Sequence, residues 1–281
     1  MNSDVVGAGH STMRADAGEG SGGLLDAALA RRNFSRAAEG YDAAADLQNE
    51  VRAALMDAIV SAKESPKRVL DLGCGTGSGL QALAGRLPGA QIFGCDIAYG
   101  MAAAANALAP GTVVVADAER LPFAVESFDL IFSSMALQWC PDLGRALRAC
   151  SELLRPGARL LVSMPAPGTL EELRRAWATV DREVHVHEFA EPARVRGAAV
   201  EAGLKVNNCA TIAYRQRHPD LITLMKSLRM TGASNASCMR PRALKGRTVL
   251  ARLSQAYPNS ECDDAIWTTW NILYADFRKR G

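Results

Sequence analysis

Three glycines at alternate positions, directly after a short apolar run, constrain this chain more than any other feature. Val69–Leu72 has the composition of a buried strand, Gly73, Gly75 and Gly77 follow at once, and Ser78–Leu87 shows the apolar spacing of a helix. A strand, a glycine-rich turn and a helix form the opening unit of a nucleotide-binding α/β sheet. Glycine lets the backbone turn sharply, and the helix start beyond it offers unpaired N–H groups to a carboxylate or phosphate. The spacing therefore predicts a ligand-binding turn, although GxGxG alone is a weak signal.

Two acidic residues at the ends of later strands strengthen this interpretation. Gln91–Asp96 has the pattern of the second strand, and its final acid follows Gly77 by 19 positions. An acid at that point can accept hydrogen bonds from both hydroxyls of a ribose. Thr112–Ala116 is predicted as the third strand, and Asp117 follows it at the edge where open α/β sheets bind ligands. Its carboxylate could accept a hydrogen bond from an adenine amino group, or it could be an ordinary turn or helix-cap acid.

The alternation of strands and helices continues along the chain. Phe128–Ser134 is predicted as the fourth strand, residues 142–154 as a helix and Ala158–Met164 as the fifth strand. Strands thus alternate with helices five times, which is the signature of a doubly wound α/β sheet. Residues 206–217 and 268–277 are predicted as late strands of the same sheet, and the helices between them are expected above its ligand-binding edge.

The composition is that of a globular protein. The chain has 281 residues, 48% of them hydrophobic and 22% charged, which allows one large domain with a sizeable core. No apolar run approaches the roughly 20 residues that span a bilayer. We expect residues 1–23, which are polar and rich in Gly and Ser, to be a disordered leader, and residues 24–281 to form the domain. That domain would include a helical cap at about 24–62 and a basic helical lid at about 219–257.

The cysteines and histidines show no metal-binding spacing. Seven cysteines are scattered without a CxxC pair, so we expect free thiols in a reducing cytoplasm and no structural zinc. His185 and His187 alternate, but a pair alone is thin evidence, and no metal is predicted. The phosphate-binding motif GxxxxGK[ST] does not occur, so a nucleoside triphosphate is not the obvious ligand.

The N-terminal helical pattern, Leu24–Ser61, carries polar residues that a simple cap does not require. Phe34, Tyr41 and Gln48 recur at intervals of seven, which places them on one face of a helix. Core packing explains Phe34. For Tyr41 and Gln48, a structural role and a functional role are equally compatible with the pattern.

A basic stretch marks the second half. From Arg215 to Arg252 the chain has nine basic residues and a single acid, Asp220, although the whole chain carries a net charge of only +2. Such a run is usually a solvated face, but an asymmetry of this size more often marks a docking site for an acidic partner. Nucleic acid and an acidic small protein are the two candidates.

The chain resembles the class I S-adenosylmethionine-dependent methyltransferases in the run Asp71-Leu-Gly-Cys-Gly-Thr-Gly77, in Asp96, in Asp117–Phe123 and in Phe128–Trp139. The resemblance implies a doubly wound, seven-stranded, mostly parallel sheet whose last strand is antiparallel. It also implies that the glycine turn holds the methionine part of the cofactor, Asp96 the ribose, and Met101 the adenine face. The cofactor-binding residues implied in this way are Gln48, Asp71, Gly73, Gly75, Gly77, Asp96, Ile97, Met101, Asp117, Ala118, Glu119 and Ser134.

Outside that common core, the chain resembles the malonyl-carrier-protein O-methyltransferases of biotin synthesis over roughly residues 31–277. The similar segments are Phe34–Ala38, Tyr41–Gln48, Leu137–Trp139, Gly168–Trp177 and Met225–Ala233. A mitochondrial family that hydroxylates a protein arginine shares much of the second half, but Tyr41–Gln48 fits the biotin family better. The chain departs from the biotin family at Ser234–Arg242 and Cys262–Asp264, which concerns the substrate lid more than the cofactor site.

The resemblance implies methyl transfer from S-adenosylmethionine to the free carboxylate of a malonyl thioester on acyl carrier protein. That carboxylate is already ionised at neutral pH, so the reaction requires no general base. A basic side chain would hold its distal oxygen, with Lys226 and Arg229 as candidates, and Tyr41 would close the acceptor pocket. Both cations could equally be surface contacts to the carrier.

The expected partner is the acidic acyl carrier protein, docked on the basic stretch 215–252, with no nucleic acid or membrane involved. Three alternatives stay open: a protein-arginine hydroxylase on the same scaffold, a non-catalytic assembly factor that retains the cofactor fold, and a small-molecule C-methyltransferase. The location predicted for the protein is the cytoplasm.

Overall fold

A computed structural model describes residues 26–60, 65–232, 246–258 and 265–281. The leader predicted at 1–23 and the departures at 234–242 and 262–264 lie outside the described residues. Within the described ranges, no helix has both the length and the apolar character needed to cross a bilayer.

Seven strands form one sheet in the order β3-β2-β1-β4-β5-β7-β6. Their bounds are β1 Arg68–Leu72, β2 Gln91–Asp96, β3 Val113–Val115, β4 Phe128–Ser134, β5 Leu154–Pro165, β6 Leu204–His218 and β7 Ile266–Lys279. The first five strands pair in parallel, whereas β7 runs antiparallel to both β5 and β6. This confirms the seven-stranded, mostly parallel sheet and both of the late strands.

Nine helices accompany the sheet within the described residues. They are α1 Ala27–Ala37, α2 Asp46–Val60, α3 Ser78–Arg86, α4 Tyr99–Leu108, α5 Leu143–Leu153, α6 Glu171–Ala178, α7 Pro192–Glu201, α8 Leu221–Met230 and α9 Gly246–Ala256. The N-terminal pattern is therefore two helices rather than one. The chain turns between them at Gly40, whose N–H binds the carbonyl of Ala37, and a short 3₁₀ helix over Asp42–Ala44 follows.

Local sequence explains several of these boundaries. Helix α5 begins at Asp142 because its carboxylate accepts a hydrogen bond from the N–H of Arg145, and α8 begins in the same way at Asp220. Strand β1 is buried from Val69 to Leu72 because helices cover both faces of the sheet, as in parallel sheets generally.

Two hydrophobic clusters position the candidate site. One lies against the sheet beneath α5 and α7 and includes Phe128, Ile131 and Phe277, each fully buried. The other, which we call the lid cluster, joins the start of α2 to α6, α8, α9 and β7. Its buried members are Leu47, Val51, Leu170, Leu173, Ala176, Trp177, Val186, Leu221, Leu224, Leu228, Leu253, Tyr257, Ile266, Trp270 and Ile272. Helix α8 follows the end of β6 and, through the lid cluster, lies at the end of the sheet where the parallel strands finish.

Candidate active site

The glycine turn after β1 has a backbone that other residues would strain. Gly73, Gly75 and Gly77 all have positive φ, at 77°, 56° and 96°. A Cβ on Gly73 would lie 2.2 Å from the Cβ of Ala136, and one on Gly77 would lie 2.8 Å from the Cα of Ala105. The turn therefore needs glycine both for its conformation and for its close packing.

Asp96 is held over this turn from the end of β2. One carboxylate oxygen accepts a hydrogen bond from the N–H of Gly75 at 3.0 Å, and the other accepts one from the N–H of Ala98 at 2.8 Å. Burial raises the pKa of Asp96, and these two N–H groups act in the opposite direction. Each oxygen keeps a further lone pair, so the carboxylate can still accept the hydroxyls of a ribose.

Asp71 lies at the end of β1, buried beneath the turn. Its Oδ2 atom has no hydrogen-bond partner among the described residues. Burial raises the pKa of the carboxyl to about 7; the Arg52 guanidinium lowers it and the Asp96 carboxylate raises it further. A Cβ on Gly79 would lie 2.4 Å from Oδ2, so the first turn of α3 closes tightly over this acid.

The N-terminal segment supplies the opposite wall of the site. Tyr41, Gln48 and Arg52 line a small cleft together with Asp71, Ser134 and the glycine turn, and the cleft has a volume of about 40 Å³. Arg52 donates a hydrogen bond to the Ser78 hydroxyl at 3.0 Å. The structure thus brings Tyr41 and Gln48 to the glycine turn, but the prediction that they share one helix face with Phe34 is wrong, because the chain turns between α1 and α2 and Tyr41 lies in that turn.

Tyr41 is a neutral group in this environment. Burial raises its pKa to about 12; the carboxylates of Asp96 and Asp42 act in the same direction, and Arg52 opposes them. The phenol therefore keeps its proton throughout the neutral range and can donate a hydrogen bond, but it cannot act as a base there.

The residues predicted on the adenine side differ in burial and in their hydrogen-bond partners. Met101 is fully buried in α4, whereas Asp117 is exposed after β3 and accepts a hydrogen bond from the N–H of Glu119. The Glu119 carboxylate accepts from the N–H of Asp142 at 3.0 Å and lies 3.6 Å from Arg145. Glu119 is therefore engaged at the start of α5. Ile97 and Ala118 are half-buried beside the ends of β2 and β3.

The two predicted acceptor cations lie apart from the cleft. Lys226 and Arg229 are exposed on α8, whose buried face is formed by Leu221, Leu224 and Leu228. Neither cation lines the cleft. The exposed basic residues of the stretch 215–252 also include Arg215, which lies over the Trp267 ring at 4.8 Å. Arg240, Arg242 and Lys245 lie outside the described residues, and the structure does not describe the Arg247 side chain.

The alternating histidines have separate surroundings. The His185 Nε2 lies 2.8 Å from an Asp181 oxygen, and its ring stacks on Trp177 at 3.6 Å. His187 instead lies edge-on to Trp139, and burial, assisted by Arg174, lowers its pKa to about 4. Asp181, Glu183 and His185 bring three possible metal-ligand atoms within 4.8 Å of one another. The Asp181–His185 hydrogen bond already accounts for two of them.

Sequence reasoning missed Arg52, which lines the cleft, and a second residue that holds the wall of the cleft in place. Arg52 follows Gln48 by four positions and so shares its helix face, a signal that would have identified it. The other is Asp42, which binds the turn through Thr76, and no spacing rule connects residues from such separate elements.

A larger cavity of about 410 Å³ lies at the opposite, amino edge of the sheet. Its lining contains none of the residues that the resemblance assigns to the cofactor. Two of its arginines are paired: Arg155 with Asp129 at 2.6 Å, and Arg159 with Asp276 at 3.0 Å. The carboxyl edge is therefore the end of the sheet where the sequence signals converge.

Known proteins resemble the chain in both sequence and fold. A family profile described as a methyltransferase domain matches residues 70–162, which include the glycine turn and β4. The malonyl-[acyl-carrier protein] O-methyltransferase of Methylococcus capsulatus is 42% identical over 229 residues, covering 80% of this chain and 83% of that protein. The protein of the same name from a Methylovorus species is 37% identical over 261 residues, covering 89% of this chain and 88% of the other.

Solved structures share the architecture at lower sequence identity. The YcgJ protein of Bacillus subtilis superposes with a TM-score of 0.56 and 18% identity, covering 82% of this chain and 99% of that one. At this identity the likeness concerns the fold, and it agrees with the seven-stranded sheet described above.

Proposed function

The chain belongs to the malonyl-[acyl-carrier protein] O-methyltransferases, and from that membership we propose which residues serve the cofactor, the acceptor and the carrier. The protein transfers a methyl group from S-adenosylmethionine to the free carboxylate of a malonyl thioester on acyl carrier protein. The product is the methyl ester that primes biotin synthesis. The observation that carries this conclusion is the 42% identity to the Methylococcus relative over 83% of its length.

The cofactor site that we propose consists of the glycine turn with Asp71, Asp96, Met101 and the cleft residues Gln48 and Ser134. The residues present suit this cofactor, because the buried Asp71 Oδ2 is an acceptor without a protein partner among the described residues. We assign to it the ammonium group of the cofactor's methionine part, and to Asp96 the ribose hydroxyls. When bound, S-adenosylmethionine supplies an electrophilic methyl group on its sulfonium sulfur.

The acceptor needs to be positioned rather than activated. A malonyl carboxylate is ionised at neutral pH, so the absence of a base from our proposal is consistent with the chemistry. Tyr41, neutral because of its raised pKa, would donate a hydrogen bond at the cleft and exclude water. Alignment of reacting groups lowers a barrier by up to about 7–11 kcal/mol in favourable cases.

We propose that the carrier protein docks on the exposed face of α8. Lys226 and Arg229 share that face with Ile222, which is 59% exposed, and the three follow one another at helical spacing. Because both cations point away from the buried side of α8, their exposure supports contact with an acidic carrier over contact with the acceptor carboxylate.

We also propose a cytoplasmic location, supported by the five free cysteines of the described chain.

A labelling experiment tests the proposed function. The purified protein is incubated with S-adenosylmethionine labelled in its methyl group and with malonyl carrier protein. We expect label on the carrier that is released by mild base, because the product is an ester. Acetyl carrier protein, which lacks the free carboxylate, is the matched control and should remain unlabelled. Label that resists base would instead indicate C-methylation, and hydroxylation of a protein arginine without any labelling would indicate the alternative hydroxylase.

A further inference from the structure

Three buried side-chain polar atoms lack a hydrogen-bond partner within the described part of the chain: Asp71 Oδ2, Gln138 Oε1 and Trp270 Nε1. The first belongs to the cofactor site proposed above. The Gln138 amide is only half-buried and uses its nitrogen to bind the Met135 carbonyl. Trp270 is different, because its ring is 5% exposed. A buried tryptophan N–H usually has a partner, and leaving it without one costs about 1–3 kcal/mol.

Trp270 lies at the end of the sheet where the ligands bind. Strand β7 is antiparallel, so its first residues lie beside the carboxyl ends of the parallel strands. Pro165, the last residue of β5, is opposite Ile272, and Trp270 lies two residues beyond it. Trp270 belongs to the lid cluster, which also contains Leu221 and Leu224 of α8.

The lid cluster and the cleft share two walls. In α2, Leu47 packs in the cluster while the adjacent Gln48 lines the cleft. After β4, Ser134 lines the cleft while the adjacent Met135 packs against the cluster. Met135 has a positive φ of 56°, a conformation that costs a non-glycine residue energy and that occurs preferentially at functional sites. Trp270 is thus in the apolar region that adjoins the methyl-transfer cleft.

We propose that the indole N–H of Trp270 binds the thioester carbonyl oxygen of the acceptor, an inference that rests on the proposed function. In a malonyl thioester, one methylene separates the carboxylate from this carbonyl, so the two groups occupy neighbouring subsites. The apolar lid cluster suits the methylene and sulfur. An uncharged donor also suits this position. A charged donor would form a strong hydrogen bond to the carboxylate, which has to react with the methyl group, whereas the indole N–H can bind the carbonyl and leave the carboxylate available.

The test begins with Trp270→Phe, which keeps an aromatic ring and removes the N–H. The KM for malonyl carrier protein should rise roughly 2- to 10-fold, the range expected for one hydrogen bond, while the KM for S-adenosylmethionine stays unchanged. Trp177→Phe is the matched control: Trp177 is 6% exposed, lies in the same cluster, and its Nε1 is not among the unpartnered atoms. Its KM for the carrier should change less than 2-fold. Equal changes in the two variants, or no change in Trp270→Phe, would overturn the proposal.

A substrate analogue supplies a second readout that a packing defect would not mimic. In the analogue, a methylene group replaces the thioester carbonyl. The wild-type protein should bind it roughly 2- to 10-fold more weakly than the thioester, whereas Trp270→Phe should bind the two alike. If the variant discriminates as well as the wild type does, the indole makes no such contact. Failure of the proposed function is recognised separately, because the wild-type protein itself would then form no base-labile ester.

Discussion

The Thr76 hydroxyl in the glycine turn donates a hydrogen bond of 2.7 Å to the carboxylate of Asp42, a residue of the N-terminal segment 34 positions earlier. Thr76 is buried, and Asp42 begins the 3₁₀ helix that follows Tyr41. Together with the bond from Arg52 to Ser78, this contact fastens the N-terminal segment to the turn at two points. The position of Tyr41 and Gln48 over the cleft therefore depends on polar contacts as well as on helix packing.

Removing that hydroxyl should weaken cofactor binding. Thr76→Val keeps the shape of the side chain but cannot donate to Asp42, so the N-terminal wall is held less firmly. We expect the Kd for S-adenosylhomocysteine, measured by titration calorimetry, to rise about 5-fold, which corresponds to about 1 kcal/mol for one partly exposed hydrogen bond. Asp57→Asn, which breaks the exposed Arg86–Asp57 pair, is the control and should leave Kd unchanged. An unchanged Kd for Thr76→Val would mean that helix packing alone holds the wall.

The glycines differ in how much they tolerate a side chain, and alanine substitutions should rank accordingly. Gly73→Ala combines a φ of 77° with a Cβ placed 2.2 Å from that of Ala136, so we expect the free energy of unfolding to fall by more than about 2 kcal/mol. A Cβ on Gly75 would meet open space, so Gly75→Ala should lower the free energy of unfolding only by the backbone strain of about 1 kcal/mol. Gly85→Ala, in the last turn of α3 with no atom within 4 Å, should be stabilising by up to about 1 kcal/mol. Chemical denaturation measures all three, and equal losses would contradict the steric argument.

The fold was predictable because each of its signals is local. Val69–Leu72, the glycine turn and the helix beyond it are consecutive in the sequence, and the later strand–helix units repeat the same pattern. The strand predicted at Ala158–Met164 is longer, starting at Leu154, because Leu154 already pairs with Phe128 of β4 and the pairing resumes at Arg159 after an irregularity that contains Pro156 and Gly157. Boundaries of this kind depend on neighbouring strands, which a single sequence does not show.

The site was predictable only in part, because its walls come from distant elements. Tyr41 and Gln48 both line the cleft, but their spacing did not place them there, because the two residues do not lie in one helix. Nothing in the sequence near Trp270 or Met135 indicates that these residues lie close to the cleft. Their positions follow from the antiparallel course of β7 and from the backbone turn after β4. For Lys226, charge alone suggested two roles, and the burial of the other face of α8 is the observation on which we base the proposed contact with the carrier.

The raised pKa of Asp71 should make the free energy of unfolding depend on pH in a defined direction. In the unfolded chain the carboxyl titrates near 3.8, and in the folded protein near 7. Between these values the folded protein retains a proton that the unfolded chain has released, so stability falls as the pH rises from about 4 to about 7 and then levels off. The slope due to this group is at most roughly 1.4 kcal/mol per pH unit.

Asp71→Asn removes that dependence and provides the measurement. At about pH 4 or below, the variant and the wild type should unfold at similar denaturant concentrations, because asparagine resembles the acid that is then protonated in both states; the advantage of the variant should grow as the pH rises to about 7 and then stay constant. Cofactor affinity should move in the opposite sense in the wild type: it should increase as the pH rises through 7, when the carboxylate that we assign to the cofactor's ammonium group becomes charged. A stability difference between the two proteins that is the same at pH 5 and pH 8 would show that Asp71 is ionised throughout.

Reversing the exposed charges of α8 separates the two roles predicted for Lys226 and Arg229. If these cations dock the carrier, Lys226→Glu with Arg229→Glu should raise the KM for malonyl carrier protein roughly 10-fold at low salt, because like charges then meet across the interface. The KM for malonyl-pantetheine, which has no protein part, should change less than 2-fold. Added salt should reduce the difference between variant and wild type, since exposed charges are screened within about 10 Å at 0.1 M. Arg148→Glu with Arg194→Glu, two exposed reversals on α5 and α7, controls for net charge. An equal rise in KM for both substrates would place the two cations at the acceptor carboxylate instead.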